Sequence, residues 1–218
     1  MQHWDVVIVG AGPAGASAAR AARSADPTAR VLMVDRATVP RDKACGDGIA
    51  PEAFDLLAGL GAGTVDEGYG PVETLHIDGP DGARAHRRMA RPARVIPREV
   101  FDARIVDAAL EAGAELQRRT VRRVQRAADG VVVDDDVGAR VLIAADGATG
   151  TVARTLGMAQ APAGHTAVAV RGYVAQAPTD GQRIVMDTGD RWPAYAWSFP
   201  LADGTDRANV GYGVLVLS

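Results

Sequence analysis

Cysteine and lysine are almost missing from this sequence. Cys45 is the single cysteine, which excludes an internal disulfide framework and fits a reducing cytosol. Neither charge sign dominates: the net charge is −3 and the pI about 5.8, so nothing pulls the chain towards nucleic acid. No apolar run approaches the roughly 18 residues of a membrane span. The start of the chain has no basic region followed by an apolar stretch and a small-residue cleavage site, so a signal peptide is not expected and a cytoplasmic location is. His3, His76, His86 and His165 have no metal-ligand spacing, and no metal is expected. Internal repeats, low-complexity tracts and flexible linkers are absent. Among 24 cationic side chains only Lys43 is a lysine, and it lies two residues from Cys45. A chain of 218 residues that is 47% hydrophobic can bury a substantial core in one large domain or two small ones.

What is present is concentrated between Val6 and Arg36. Val6-Val7-Ile8-Val9 is an apolar strand, Gly10-Ala11-Gly12-Pro13-Ala14-Gly15 a glycine turn, and an Ala-rich helix and a second strand, Val31 to Asp35, follow. Gly10, Gly12 and Gly15 have GxGxxG spacing, and Asp35 stands 20 residues after the last of them. Each residue type has a task in dinucleotide binding. Gly10 permits the tight turn, Gly12 lets backbone approach a pyrophosphate, and Gly15 lets the helix lie close on the sheet. The first-turn amides and the helix dipole then face the phosphates, and Asp35 accepts from a ribose hydroxyl.

Further along, Pro40-Arg41-Asp42-Lys43-Ala44-Cys45-Gly46-Asp47-Gly48 reads as a loop, and Pro51 opens a helix ended by Gly61. Residues 72–78 and 83–89 read as a hairpin around Gly79-Pro80-Asp81-Gly82. Val95-Ile96 is a short strand, and 98–112 a helix with Phe101, Ile105 and Ala109 in one stripe widened by Val106 and Leu110. Strands are expected at 116–124 and 130–134, with Asp134-Asp135-Asp136 as a solvated tip. The run 139–145 is apolar enough for a parallel strand buried on both faces, ending in Asp146-Gly147-Ala148 before a short helix at 151–156. From Thr166 the pattern becomes strands and turns, with runs at 182–186, 195–201 and 208–217, an antiparallel sheet. The expected architecture is α/β: a Rossmann-like domain of parallel sheet and helices, residues 1–70 and 94–160, plus an antiparallel β-sheet substrate domain, residues 71–93 and 161–218. The first hairpin is expected to join that sheet.

These motifs together resemble the geranylgeranyl reductase family of FAD-dependent oxidoreductases, within the wider p-hydroxybenzoate hydroxylase-like flavoproteins. The resemblance runs over essentially the whole chain. Gly10 to Gly15 with Asp35-Arg36 matches the FAD fingerprint. Residues 40–48 match the reductase signature near the flavin, the most specific of the set. Arg98, followed by Phe101-Asp102, matches an arginine-led helix start, and Ala145-Asp146-Gly147-Ala148 with Arg154 the second flavoprotein motif. Tyr195-Ala196-Trp197-Ser198-Phe199-Pro200 resembles the segment lining the substrate side. The cofactor-binding set so implied is Gly10, Gly12, Pro13, Ala14, Gly15, Asp35, Arg36, Lys43, Cys45, Gly46, Asp47, Gly48, Arg98, Val121, Ala145, Asp146 and Gly147. Cys45 is the candidate proton donor, and Tyr195, Trp197 and Phe199 are the candidate substrate wall.

Plain structural readings stand beside these. A lone cysteine is usually a small buried hydrophobe, a lone lysine a solvated cation, and Asp146-Gly147 a strand-end turn. Tyr195, Trp197 and Phe199 share one strand face by their period-2 spacing, which without the family reads as core. The resemblance implies two-electron chemistry, hydride from reduced FAD to one carbon of an isolated double bond and a proton to the other. It implies a polyprenyl lipid or quinone side chain as substrate, NADPH as a candidate electron donor, and association with a membrane surface to reach lipid. A monooxygenase or halogenase of the same fold and a non-catalytic nucleotide-binding remnant are the alternatives. The family's later Gly-Asp motif has no counterpart: Gly189-Asp190 is followed by Arg191-Trp192-Pro193, so a further C-terminal part of the enzyme is expected.

Overall fold

The computed structural model describes residues 1–158, 162, 164–187, 189 and 193–216. Leu217, expected at the end of the last strand, and Asp190 to Trp192, weighed above as a failed Gly-Asp motif, lie outside the described residues. The chain forms two compact units. One comprises residues 1–41, 57–65 and 99–160, the other 42–56, 66–98 and 161–218.

The first unit is built on strand–turn–helix–strand. β1 (Gln2–Val9) runs into the glycine turn, α1 (Pro13–Ala25) follows, and β2 (Val31–Asp35) returns parallel to β1 with Val6 opposite Val31 and Val9 opposite Val34. Later in the chain come α3 (Arg98–Glu111), β6 (Glu115–Arg118), β7 (Val124–Ala127), β8 (Gly130–Val133), β9 (Val137–Ala144) and α4 (Thr151–Thr155). Between the two groups lie β3 (Gly48–Ile49), α2 (Pro51–Gly59), β4 (Val72–Asp78) and β5 (Arg84–Val95). The unit's sheet has the order β6-β2-β1-β9-β8-β7, parallel from β6 to β9 and antiparallel beyond.

Small residues fix how α1 lies on this sheet. Gly15, Ala16 and Ala19 are buried, and a Cβ on Gly15 would sit 1.8 Å from the Gly10 carbonyl oxygen and 3.2 Å from Ile8. Any side chain there lifts the helix off its strand. Alternation along β1 and β2 puts Val7, Val9, Leu32 and Val34 in a core cluster with Val121, Val124, Val133, Val137 and Val152. Each such aliphatic side chain contributes roughly 1.5–3 kcal/mol on burial.

Three expectations change here. β9 is not buried on both faces: its first three residues are buried, but Arg140 and Val141 are exposed, Val141 by 51%, so cover is lost partway along the strand. The strand expected over 116–124 stops at Arg118. Residues 119–123 instead spend their amides elsewhere, Arg119 N–H on the Asp35 carbonyl and the 122 and 123 amides on the Asp134 carboxylate. Leu110, expected on the apolar stripe of α3, is 38% exposed, while the buried face adds Asp102.

The second unit is a seven-stranded sheet with the order β10-β13-β12-β11-β4-β5-β3, where β10 is Thr166–Val174, β11 Gln182–Asp187, β12 Ala194–Pro200 and β13 Ala208–Val216. The first hairpin does join the later strands, as the pattern indicated. One pair, β11 with β4, is parallel, so the sheet is not antiparallel throughout. Residues 84–95 form one long strand, and the break read before Val95 is a bulge opposite 72–74. Residues 42–56, placed on sequence with the dinucleotide domain, belong to this unit, since β3 pairs with the end of β5 and Ile96 N–H donates to the Asp47 carbonyl at 3.0 Å. No described helix is long and apolar enough to cross a membrane.

Candidate functional site

In the first unit the glycine turn is closed from below and open above. Gly10 has φ +101°, and a Cβ there would meet the Ala145 carbonyl oxygen at 2.2 Å. Gly10 and Ala145 are held by neighbouring strands, Gly10 N–H donating to the Val34 carbonyl and Ala145 N–H to the Val9 carbonyl. A Cβ on Gly12, by contrast, would meet only an Arg41 nitrogen, at 3.5 Å. Gly12 is the N-cap of α1, makes no side-chain cap, and no acidic residue occupies the first turn. A helix start with free space above it and no carboxylate of its own fits a pyrophosphate.

Asp35 ends β2 beside this turn. Its Oδ2 accepts from Ala11 N–H and its Oδ1 from Ala37 N–H, both at 2.8 Å. Two backbone amides fix the carboxylate and leave lone pairs for a ribose hydroxyl. Arg41 reaches over the same turn, with Nη1 3.3 Å from the buried Asp102 carboxylate and Nη2 4.0 Å from Asp35. This guanidinium is the cation nearest the open side of Gly12 that the described contacts give, and sequence reasoning passed it over. It stood inside the quoted 40–48 motif, but nothing in the sequence tied it to Asp102, 61 residues away. Asp146 is turned towards α4: its Oδ2 accepts the amides of Thr151 at 2.5 Å and Val152 at 3.0 Å. Gly150 makes room for it, since a Cβ there would lie 2.3 Å from Oδ1. Gly147 adopts φ +84° in the same turn.

In the second unit the Cys45-Gly46-Asp47-Gly48 turn lies against β12. A Cβ on Gly46 would be 3.3 Å from the Phe199 ring and 3.4 Å from the Trp197 indole nitrogen, and one on Gly48 3.4 Å from Phe199. The turn is tied down by side chains. Asn209 Nδ2 donates to the Cys45 carbonyl at 2.9 Å and to Asp47 Oδ2 at 2.6 Å, while its Oδ1 accepts from Trp197 Nε1–H at 2.8 Å. Tyr173 O–H donates to the same Asp47 oxygen at 2.5 Å. Asp47 is 1% exposed, and burial pushes its carboxyl above the ordinary range despite those two donors. Burial, then the neighbouring Asp47 carboxylate, pushes the Tyr173 phenol up as well. The Arg171 guanidinium stacks 4.7 Å over the Tyr173 ring and bonds the Asp42 carboxylate and the Lys43 carbonyl.

The other expected residues fall as follows. Arg36, Lys43 and Ala14 are exposed; Pro13 and Arg98 are half-buried at helix starts. Val121 is 7% exposed within the aliphatic cluster. Tyr195 is 46% exposed and Trp197 7%, with their rings 5.8 Å apart on one strand face, and Phe199 is half-buried. Trp197 is thus a core side chain whose indole lies over Gly211, where a Cβ would be 2.2 Å away. Asn209, Tyr173 and Arg171 carried no sequence signal, because their partners are distant in the chain; Asp102 was read only as part of the Arg98 helix start, and its pairing with Arg41 was not. A groove of about 680 Å³ lined by His3, Trp4, Arg30 and Arg140 opens at the start of β1, the far end of that strand from Gly10.

Known proteins can now be set beside this geometry. A menaquinone reductase of Mycolicibacterium smegmatis is 35% identical over 97% of this chain and 55% of its own length. A digeranylgeranylglycerophospholipid reductase of Methanosphaerula palustris is 32% identical over 97% of this chain and 56% of its own. The chain spans about half the length of the curated relatives it matches. A geranylgeranyl bacteriochlorophyll reductase-like structure from Thermoplasma acidophilum superposes with a TM-score of 0.79 at 24% identity, covering 98% of this chain and 57% of that one. That likeness concerns the fold, which flavin-dependent halogenases share. The model of the FAD binding domain matches residues 3–187, and the chain belongs to that family.

Proposed function

We propose that this chain is the FAD-binding half of a reductase that saturates a carbon–carbon double bond in a polyprenyl lipid or a quinone side chain, with NADPH as electron donor. The observation that carries the reading is the packing of residues 45–48 on β12, which joins the two segments singled out by resemblance to prenyl reductases. FAD, when bound, supplies the hydride. The chain's own residues do the rest. The first-turn amides of α1 and the Arg41 guanidinium hold the phosphates, and Asp35 orients the ribose. Phe199 and Tyr195 give the substrate an apolar surface and keep water off it, which matters for an alkene that offers no carbonyl to polarise. The Cys45 thiol holds the proton for the second carbon.

A flavin-dependent hydroxylation or halogenation on the same fold is the reading to beat, since fold alone does not fix the reaction. The full-length enzyme is incubated with NADPH and menaquinone or a geranylgeranyl lipid, and the product is weighed. A gain of two hydrogens per double bond is expected, and a hydroxylated or halogenated product would overturn the proposal. Recovery with anionic vesicles tests the accompanying proposal that the enzyme works at a membrane surface.

A further inference from the structure

Two costs are concentrated on one residue next to the lone cysteine. Asp47 adopts φ +60°, a left-handed conformation that non-glycine residues avoid. Its carboxylate is buried, and among the described residues Oδ1 has no hydrogen-bond partner. A half-satisfied buried carboxylate is expensive, and the usual remedy is a guanidinium bonded to it. Arg171, the nearby cation, acts on Asp47 only through its charge and bonds Asp42 and the Lys43 carbonyl instead; among the described residues its Nε has no partner. The satisfied oxygen, Oδ2, receives Tyr173 from β10 and Asn209 from β13, and Asn209 also grips the Cys45 carbonyl and the Trp197 indole. The four side chains come from three strands and a loop, and three of the four bonds end on the turn that carries Cys45, while the fourth fixes Asn209 against Trp197.

We propose that Asp47, clamped by Tyr173 and Asn209, is the positioning residue that holds the Cys45 turn on β12. The proposal rests on the reading of Cys45 as a site residue. The clamp fixes the Cys45 backbone through its carbonyl and through the conformation of Asp47. The cost of the left-handed, half-satisfied aspartate is retained because an unclamped Gly-flanked turn would wander.

Cys45 is the single thiol of these 218 residues. Its alkylation by iodoacetamide, followed by mass spectrometry of the Cys45 peptide in the full-length enzyme, reads the turn directly, and hydrogen exchange at the Ile96 amide, which bonds the Asp47 carbonyl, reads it independently. Asn209→Ala should speed both on the order of tenfold, through loss of two hydrogen bonds at the turn. Tyr173→Phe, which removes one hydroxyl and threatens the fold least, should speed both by roughly threefold. Asp47→Asn keeps an oxygen for both donors and should stay near the parent. Equal rates in the parent and in Tyr173→Phe, with an unchanged melting midpoint, would overturn the proposal. So would an Asp47→Asn turn as loose as that of Asn209→Ala. Cys45→Ser turnover in the full-length enzyme is scored separately. If it matches the parent, the chemical role of Cys45 fails while the alkylation result still decides the clamp.

Discussion

The glycine turn after β1 and the Cys45 turn before β3 are both tight, glycine-bearing and placed against a sheet, yet they are held by opposite means. In the first, backbone carries most of the hold: Gly10 and Gly15 interlock with carbonyl oxygens at distances no Cβ tolerates, and the Asp35 carboxylate adds one bond, from Ala11 N–H. In the second, side chains carry most of the hold: Asp47, Asn209, Tyr173 and Trp197 lock a turn whose backbone is otherwise tied only through Ile96 N–H and the short β3–β5 pairing among the described bonds. A backbone lock is local and unforgiving. A side-chain lock is long-range and can be loosened by degrees.

The largest effect expected from this contrast is at Gly15. Gly15→Val would force the first turn of α1 off the Gly10 carbonyl, which lies 1.8 Å from any added Cβ, and should leave little folded protein by circular dichroism. Gly12→Val is the paired measurement. Its Cβ meets only the flexible end of Arg41 at 3.5 Å, so the fold should survive while FAD affinity, read by flavin fluorescence quenching, drops at least about a hundredfold by intrusion into the phosphate space. Intact FAD binding in Gly12→Val would remove this turn from the cofactor site.

Next in size is Trp197. Trp197→Ala should cost about 3–5 kcal/mol of stability in urea unfolding, as for other buried aromatics. Trp197→Phe keeps most of the ring but leaves Asn209 Oδ1 without its donor, and about 1–3 kcal/mol is expected. If both variants were as stable as the parent but lost turnover, Trp197 would be a substrate wall and not core.

What the sequence revealed follows the same division. Gly10, Gly12, Gly15 and Asp35 could be read because their geometry is a matter of spacing along one strand–helix–strand unit. Glycine at such positions reports a backbone need with no reference to distant residues. The hairpin β4–β5 and the late strands were legible from alternation and turn residues. Asn209 could not be found, since its partners at 45, 47 and 197 are fixed only once β12 and β13 pair and the loop is laid on them. Arg41 was hidden the same way behind Asp102. The exposure of Val141 and the parallel pairing of β11 with β4 are likewise properties of the assembled sheets, which no local pattern encodes.

Arg41 sharpens the comparison on the backbone side, because its side chain reaches over the glycine turn at Gly12. Arg41→Met keeps the aliphatic stem and removes the charge that faces both Asp102 and the phosphate space. FAD affinity should weaken roughly tenfold to a hundredfold, as for loss of one charge-assisted contact, and salt should weaken it less than in the parent. An unchanged affinity would make Arg41 a purely structural partner of Asp102.

The smallest effect, and the most diagnostic of the side-chain lock, is the pH dependence carried by Asp47. Its ordinary pKa is 3.8, and burial raises it in the folded state, opposed by the Tyr173 and Asn209 donors and by Arg171, with Asp42 adding slightly to the rise. A carboxyl whose folded value lies above its unfolded value binds more protons folded than unfolded between the two. Stability therefore falls as pH rises through that window, and the contribution of the neutral acid is complete only below 3.8. Asp47→Asn has no such titration. Its melting midpoint relative to the parent should climb as pH is raised from about 4, the unfolded value of an aspartate, and level off above the folded pKa. Tyr173→Phe removes a hydrogen bond that favours the charged form, so in that background the climb should start at the same pH, rise further and level off at higher pH. A difference between parent and Asp47→Asn that stays flat across the acid range would mean that Asp47 titrates like an exposed carboxylate and that the turn is not sealed by its neighbours.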